Sequence, residues 1–145
     1  MPYASATDLT NRLGTRTAAE LTADSGSTPD TTKLTEDANA ASAEVDGYLA
    51  RRYAVPIDLA AHPELAPLLK GITLDLGAYR THCRRQPVPE EISKARQAAV
   101  EWCLRVSRGE ILLPATTTPT PTTADSPMTS HGGAERNPPG VREDL

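Results

Sequence analysis

From Leu34 onward, apolar or small residues fall at positions 34, 38, 41, 45, 48 and 49, and again at 52 or 53. Steps of three and four put these side chains on one face of an α-helix, whereas a strand would need a period of two. The opposite face carries Glu36, Asp37, Glu44, Asp46 and Arg51, and is expected to face water. Asp30 stands where an N-cap belongs, and Pro56 ends the run because it disfavours helix at Val55. Ala38, Ala40, Ala41 and Ala43 make this helix slim, so neighbouring helices can pack close to it. A chain built on such an element must bury its apolar stripe against other helices.

The residues on either side read the same way. In "ASATDLTNRLG", Ser5 or Thr7 can cap a short helix, Leu9 and Leu13 share a face, and Gly14 sits at the stop position. "TRTAAELTA" is a second short amphipathic turn carrying Leu21, and "DSGSTPD" is a loop by composition. Pro63 and Glu64 open a helix with the stripe Leu65, Leu68, Leu69, Ile72, Leu76, Tyr79 and Cys83. "PEEISKARQAAVEWCLRVSRG" is a third long helix. Pro89 suits its first position, Glu90 and Glu91 its positive end, and Arg105 and Arg108 its negative end. Its apolar face is Ile92, Ala95, Ala99, Trp102, Cys103 and Val106, and Gly109 stops it. "EILL" reads as a short strand or an extended arm. The expected fold is all-α: three main helices behind one or two short N-terminal ones, over residues 1–113.

After Leu113 the composition changes. "PATTTPTPTTADSPMTSHGGAERNPPGVREDL" is rich in Thr and Pro, and its only large aliphatic side chains are Met128, Val141 and Leu145. Such a segment cannot bury enough apolar surface to order itself, but it can wrap a partner. As an extended Pro-rich chain, residues 114–145 reach roughly 100 Å. This arm is expected to dock on another subunit through Met128, Val141, Arg142 and Leu145.

Composition excludes several classes of function. There is no Phe, and aromatic residues make up 3% of the chain, which suits close helix packing more than an aromatic-lined pocket. The net charge of −4 argues against a dedicated nucleic-acid binder. No stretch resembles a secretory leader or a membrane span, so a soluble protein made in the cytoplasm is expected. Two cysteines are too few for a disulfide scaffold. No zinc-type spacing links His62, His82, His131, Cys83 and Cys103, so neither metal nor cofactor is expected. Adjacent helical residues such as His82 and Cys83 point about 100° apart and cannot converge on one ligand. Nothing beside either cysteine completes a nucleophilic constellation, so no catalysis is expected. Both thiols are expected to be small core groups. The loop from Asp24 to Asp30 lacks the Glu that would complete a calcium loop. Arg80, Arg84 and Arg85 form a local basic patch: either a face for DNA or an acidic partner, or cations complementing a helix C-terminus.

Three stretches carry a family resemblance. "YASATDLTNRLGTRTAAELT" opens the chain, "ASAEVDGYLARRYAVP" spans Ala41–Pro56, and "LDLGAYR" spans Leu74–Arg80. Over residues 2–110, and not in the arm, the chain resembles the Mu-like neck proteins of tailed phages, prophages and gene-transfer particles. Its loop "TADSGSTPD" holds fewer aspartates than that family's pattern, and its arm is longer. The resemblance implies a head–tail adaptor, or connector, that forms a ring, typically of about twelve copies, with each subunit meeting its neighbours head-to-tail. It implies a portal protein on one side, the next neck or tail protein on the other, and DNA passing through without sequence-specific binding. The site of action would be the virion head–tail junction. A different class, a small helical packaging or regulatory protein that binds nucleic acid, would need a recognition helix with several exposed polar or basic side chains, and only "YRTHCRRQ" comes near that.

Overall fold

A computed structural model describes residues 2–117. Five α-helices follow one another: α1 (Ala6–Leu13), α2 (Thr15–Thr22), α3 (Thr31–Leu49), α4 (Ala66–His82) and α5 (Glu90–Ser107). A single 3₁₀ turn, Pro63–Leu65, leads into α4. Among the described residues there is no strand, only an isolated antiparallel bridge between Tyr53 and Thr117. The all-α expectation holds, with three long helices and two short ones.

Local chemistry sets the ends of these helices. Ser5 caps α1 in a reciprocal capping box with Asp8, and Gly14 closes it at a φ of 87°. Asp30 caps α3 by accepting from the amides of Thr32 and Lys33. Pro89 is the N-cap of α5 rather than its first residue, because its ψ of 143° is not helical. Gly109 follows α5 with a φ of 82°, as a stop glycine does.

The long helices pack along the stripe of α3. Leu34, Ala38, Ala41, Val45 and Leu49 are all buried, and α4 crosses them with Leu69, Thr73, Leu76 and Gly77. At Gly77 the absent side chain lets α4 sit close: a methyl there would lie 3.4 Å from Leu9 Cδ1 and 3.8 Å from Ala41 Cβ. From α5, Ala99, Cys103 and Val106 close the core. A smaller cluster of Leu9, Ala18, Leu34 and Ala78 fixes α1 and α2 on this body. Tyr3 ties the N-terminus down. Its amide donates to Ser42 Oγ (3.0 Å), and its buried hydroxyl donates to Asp46 and accepts from the Ile57 amide. Burial, reinforced by Asp46, pushes the Tyr3 phenol well above its ordinary range.

Several sequence expectations are corrected. α2 buries Ala18, Ala19 and Thr22 rather than Leu21, since the side of this short helix that meets α4 is lined by small residues. Leu68 is 40% exposed, and Cys83 is exposed at the end of α4 instead of being a core group. His82 is the residue turned inward there. Asp37 is buried, although it was expected to face water. "EILL" is not a strand. It lies extended over the body, with Ile111 and Leu113 packed on the core, the Leu113 amide donating to Tyr53 Oη (2.8 Å), and the Ala54 amide donating to Thr116 O (2.8 Å). The described chain therefore stays tied to the body as far as Thr117.

Two predictions follow from these contacts. Burial lowers the His82 imidazole below its ordinary value of 6.5, so the unfolded chain takes up that proton first. Stability present above that value is therefore lost as pH falls through the folded one. Urea midpoints should drop between pH 7.5 and 5.5, and His82→Gln should flatten that part of the profile. Gly109→Ala should lower stability by about 1–2 kcal/mol, because a side chain is strained at positive φ. Chemical denaturation measures it directly.

Candidate functional site

The site is a groove of about 380 Å³ where α3, α4 and α5 meet, lined by Asp37, Glu44, Tyr79, Arg80, Cys83, Arg84 and Arg96. Asp37 and Glu44 are seven residues apart on α3, so they project from the same side of it. Arg80, in the last turn of α4, and Arg84, in the turn that follows it, meet them from across the groove. Arg84 Nε lies 2.9 Å from Asp37 Oδ2, and its Nη2 lies 3.0 Å from Oδ1, a bidentate pair. Thr81 Oγ1 donates to the same carboxylate at 2.9 Å. Glu44 is shared. Arg80 Nη2 is 2.8 Å from its Oε2, and Arg96 Nη2 is 3.4 Å from its Oε1. Arg96 also lies over the Tyr79 ring, 4.8 Å from its centroid.

Electrostatically the groove is largely self-compensated. Bonding to Asp37 raises the Arg84 pKa further, so this guanidinium stays charged throughout. Side-chain exposure is 11% for Asp37 and 17% for Glu44, so both carboxylates are strongly desolvated and depend on their cations. Arg80 Nε is buried and has no hydrogen-bond partner among the described residues. The thiols do not form a nucleophilic site with His82. Cys103 is buried, and burial together with Glu44 pushes its thiol up to about 12. His82 turns inward while Cys83 faces solvent. Among the described residues no cluster of His, Cys, Asp or Glu could hold a metal ion. The faint calcium-type loop is occupied by a lysine: Lys33 Nζ lies 2.9 Å from Asp24 and 3.7 Å from Asp30.

The basic patch read from the sequence is divided by the fold. Arg80 and Arg84 enter the groove as ion-pair partners, whereas Arg85 turns to the α2–α3 loop and donates to the Ala23 carbonyl (2.8 Å). Arg96, Glu44 and Asp37 complete the arrangement and were not singled out as a site. The signal for them was present: acidic residues spaced by seven on one helix and arginines spaced by four on the next. The arm residues Met128, Val141, Arg142 and Leu145 lie outside the described residues.

The ion pairs should respond unequally to mutation. Asp37→Asn should cost about 1.5–3 kcal/mol, because it leaves the Arg84 and Thr81 donors with a weakened partner in a buried place. Glu90→Gln, which breaks the exposed pair with Lys94, should cost only a few tenths of a kcal/mol. Urea denaturation of the two variants at pH 7 and low salt compares them.

A protein-family model described as "Bacteriophage Mu, Gp36" matches residues 3–131. The match runs past Leu113 into the Thr/Pro-rich segment as far as His131, farther than the motif resemblance alone extended. No curated protein matches the chain.

Proposed function

The chain belongs to the phage Mu Gp36 family, and from that membership we propose that it is a structural head–tail adaptor of a tailed phage or phage-like particle. In this reading copies of the chain form a ring beneath the portal. The ring extends the DNA channel and presents a platform to the next neck or tail protein. The match over residues 3–131 carries the proposal. The architecture supports it: a small helical body in which the groove between α3, α4 and α5 is lined by the body's own ion pairs. No helix among the described residues is long and apolar enough to cross a membrane. The chain acts without catalysis or cofactor, as a component of the virion.

The C-terminal arm belongs to the same proposal. Its root is held against Tyr53 and Ala54, so it leaves the body from a fixed point beside the end of α3. At about 3.1 Å per residue, residues 118–145 reach roughly 90 Å from there. That length crosses a neighbouring subunit, and Met128, Val141, Arg142 and Leu145 are the anchors proposed to hold it on the portal or an adjacent copy.

Silencing this gene in the particle that encodes it should leave DNA-filled heads and separate tails, visible by negative-stain imaging, and supplying the protein should restore joining. Normal particles without it would refute the adaptor role. Removing residues 118–145, which spares the contacts at Thr116 and Thr117, should weaken association with the portal protein at least tenfold. Unchanged association and unchanged particle yield would refute the role of the arm.

A further inference from the structure

The net charge conceals an uneven distribution. Among the described residues, Arg12, Arg16, Lys33, Lys70, Arg80, Arg84, Lys94 and Arg96 each have a carboxylate within 4 Å. Of the other described cations, Arg85 donates to a backbone carbonyl, Arg51 and Arg52 have no carboxylate within 4 Å among the described residues, and Arg105 and Arg108 share one; these last four lie at the end of the bundle where α3 and α5 finish. Arg51 and Arg52 follow α3, and Arg105 and Arg108 lie in and just after the last turn of α5. All four are exposed. Arg52, Arg105 and Arg108 are neighbours in space as well, with Arg51 next to Arg52 in the chain. The Arg52 guanidinium lies over Gly109, so close that a side chain there would meet it at 2.7 Å. Arg105 and Arg108 share a single carboxylate, Glu110, at 3.3 and 3.9 Å. The other acids of this region are placed differently: Asp58 accepts from the amides of Ala60 and Ala61, Glu64 faces His62, and Glu101 stands one turn back along α5.

Helix dipoles explain part of this. Two helix C-termini favour nearby cations, and the effect fades within the last turn. Four arginines against one carboxylate exceed that need and leave a surplus of positive charge on a solvated surface. With a Debye length of about 8–10 Å, this cluster acts on its surroundings almost independently of the acidic remainder.

We propose that the arginine end, Arg51, Arg52, Arg105 and Arg108, is a contact surface for the phosphate backbone of double-stranded DNA. Exposed guanidinium groups bind phosphates without reading sequence, and their contribution shows as counterion release. The surface is small and the chain as a whole acidic, so the contact is weak and steeply salt-dependent, with a Kd of about 10⁻⁴–10⁻⁶ M, as for non-specific binding. It does not rest on the ring reading.

The test is fluorescence anisotropy of a labelled 20-bp duplex of arbitrary sequence, titrated with the full chain between 50 and 200 mM NaCl. The double variant R105Q/R108Q should reduce the slope of log K against log salt by nearly two, at about 0.9 per phosphate contact. R16Q/K94Q, which removes the same charge from α2 and the far end of α5, should leave the slope unchanged. Circular dichroism of both variants confirms that they are folded. Absence of binding at 50 mM salt overturns the proposal, as do equal effects of the two variants. Poly-glutamate binding as tightly as the duplex also overturns it and reassigns the surface to an acidic protein. A ring that ignores DNA defeats this inference alone, and a monomer that binds DNA through these arginines defeats the adaptor reading alone.

Discussion

The bundle is organised by three carboxylates on one helix. Asp37 holds the end of α4 through Thr81 and Arg84. Glu44 holds the last turn of α4 and the first half of α5 through Arg80 and Arg96. Asp46 holds the N-terminal segment through Tyr3. The apolar core that surrounds α3 is built mainly from Ala, Leu and Val. Such a core supplies adhesion but little shape to distinguish one helix register from the next. Ion pairs at fixed heights along α3 supply that distinction, because a one-turn slip would strand desolvated charges at a cost of several kcal/mol. Their net contribution to stability is smaller, since most of the Coulomb gain offsets desolvation.

The same allocation of charge determines what the surface has left to offer. Arginines that bind α3 are used internally, which is why the groove of Arg80, Arg84 and Arg96 is an internal fastening more than a free receptor. The arginines that remain stand at the opposite end of α3, next to the point where the C-terminal arm leaves the body. The arginine end and the root of the arm are thus adjacent, while the other described cations, Arg85 apart, each have a carboxylate within 4 Å. A subunit with such a polarised surface suits head-to-tail assembly, in which each copy offers two different faces.

Much of the fold was legible in the sequence because it follows from periodicity and caps. The α3 stripe, the Asp30 cap, the stop glycines at 14 and 109 and the three long helices all come from local rules. The failures share a cause. Asp37 was assigned to water because periodicity treats a charged residue as solvated, and its partner Arg84 lies 47 positions away. Cys83 is exposed where the stripe predicts a core thiol, because α4 packs against both α3 and α5 and a single stripe underdescribes it. Leu21 is the largest apolar side chain of α2, yet the small Ala18 and Ala19 are the ones buried, because they permit close packing. The paired-charge groove was therefore visible only as fragments: a basic patch on one helix and an acidic face on another.

The adaptor account stands on assembly, which native mass spectrometry of the full-length chain, alone and with the portal protein of the same particle, measures most directly. The account predicts a closed ring of one copy number, formed alone or on the portal, and stable at physiological salt. A chain that remains monomeric in both conditions, with no portal-bound species, would contradict it.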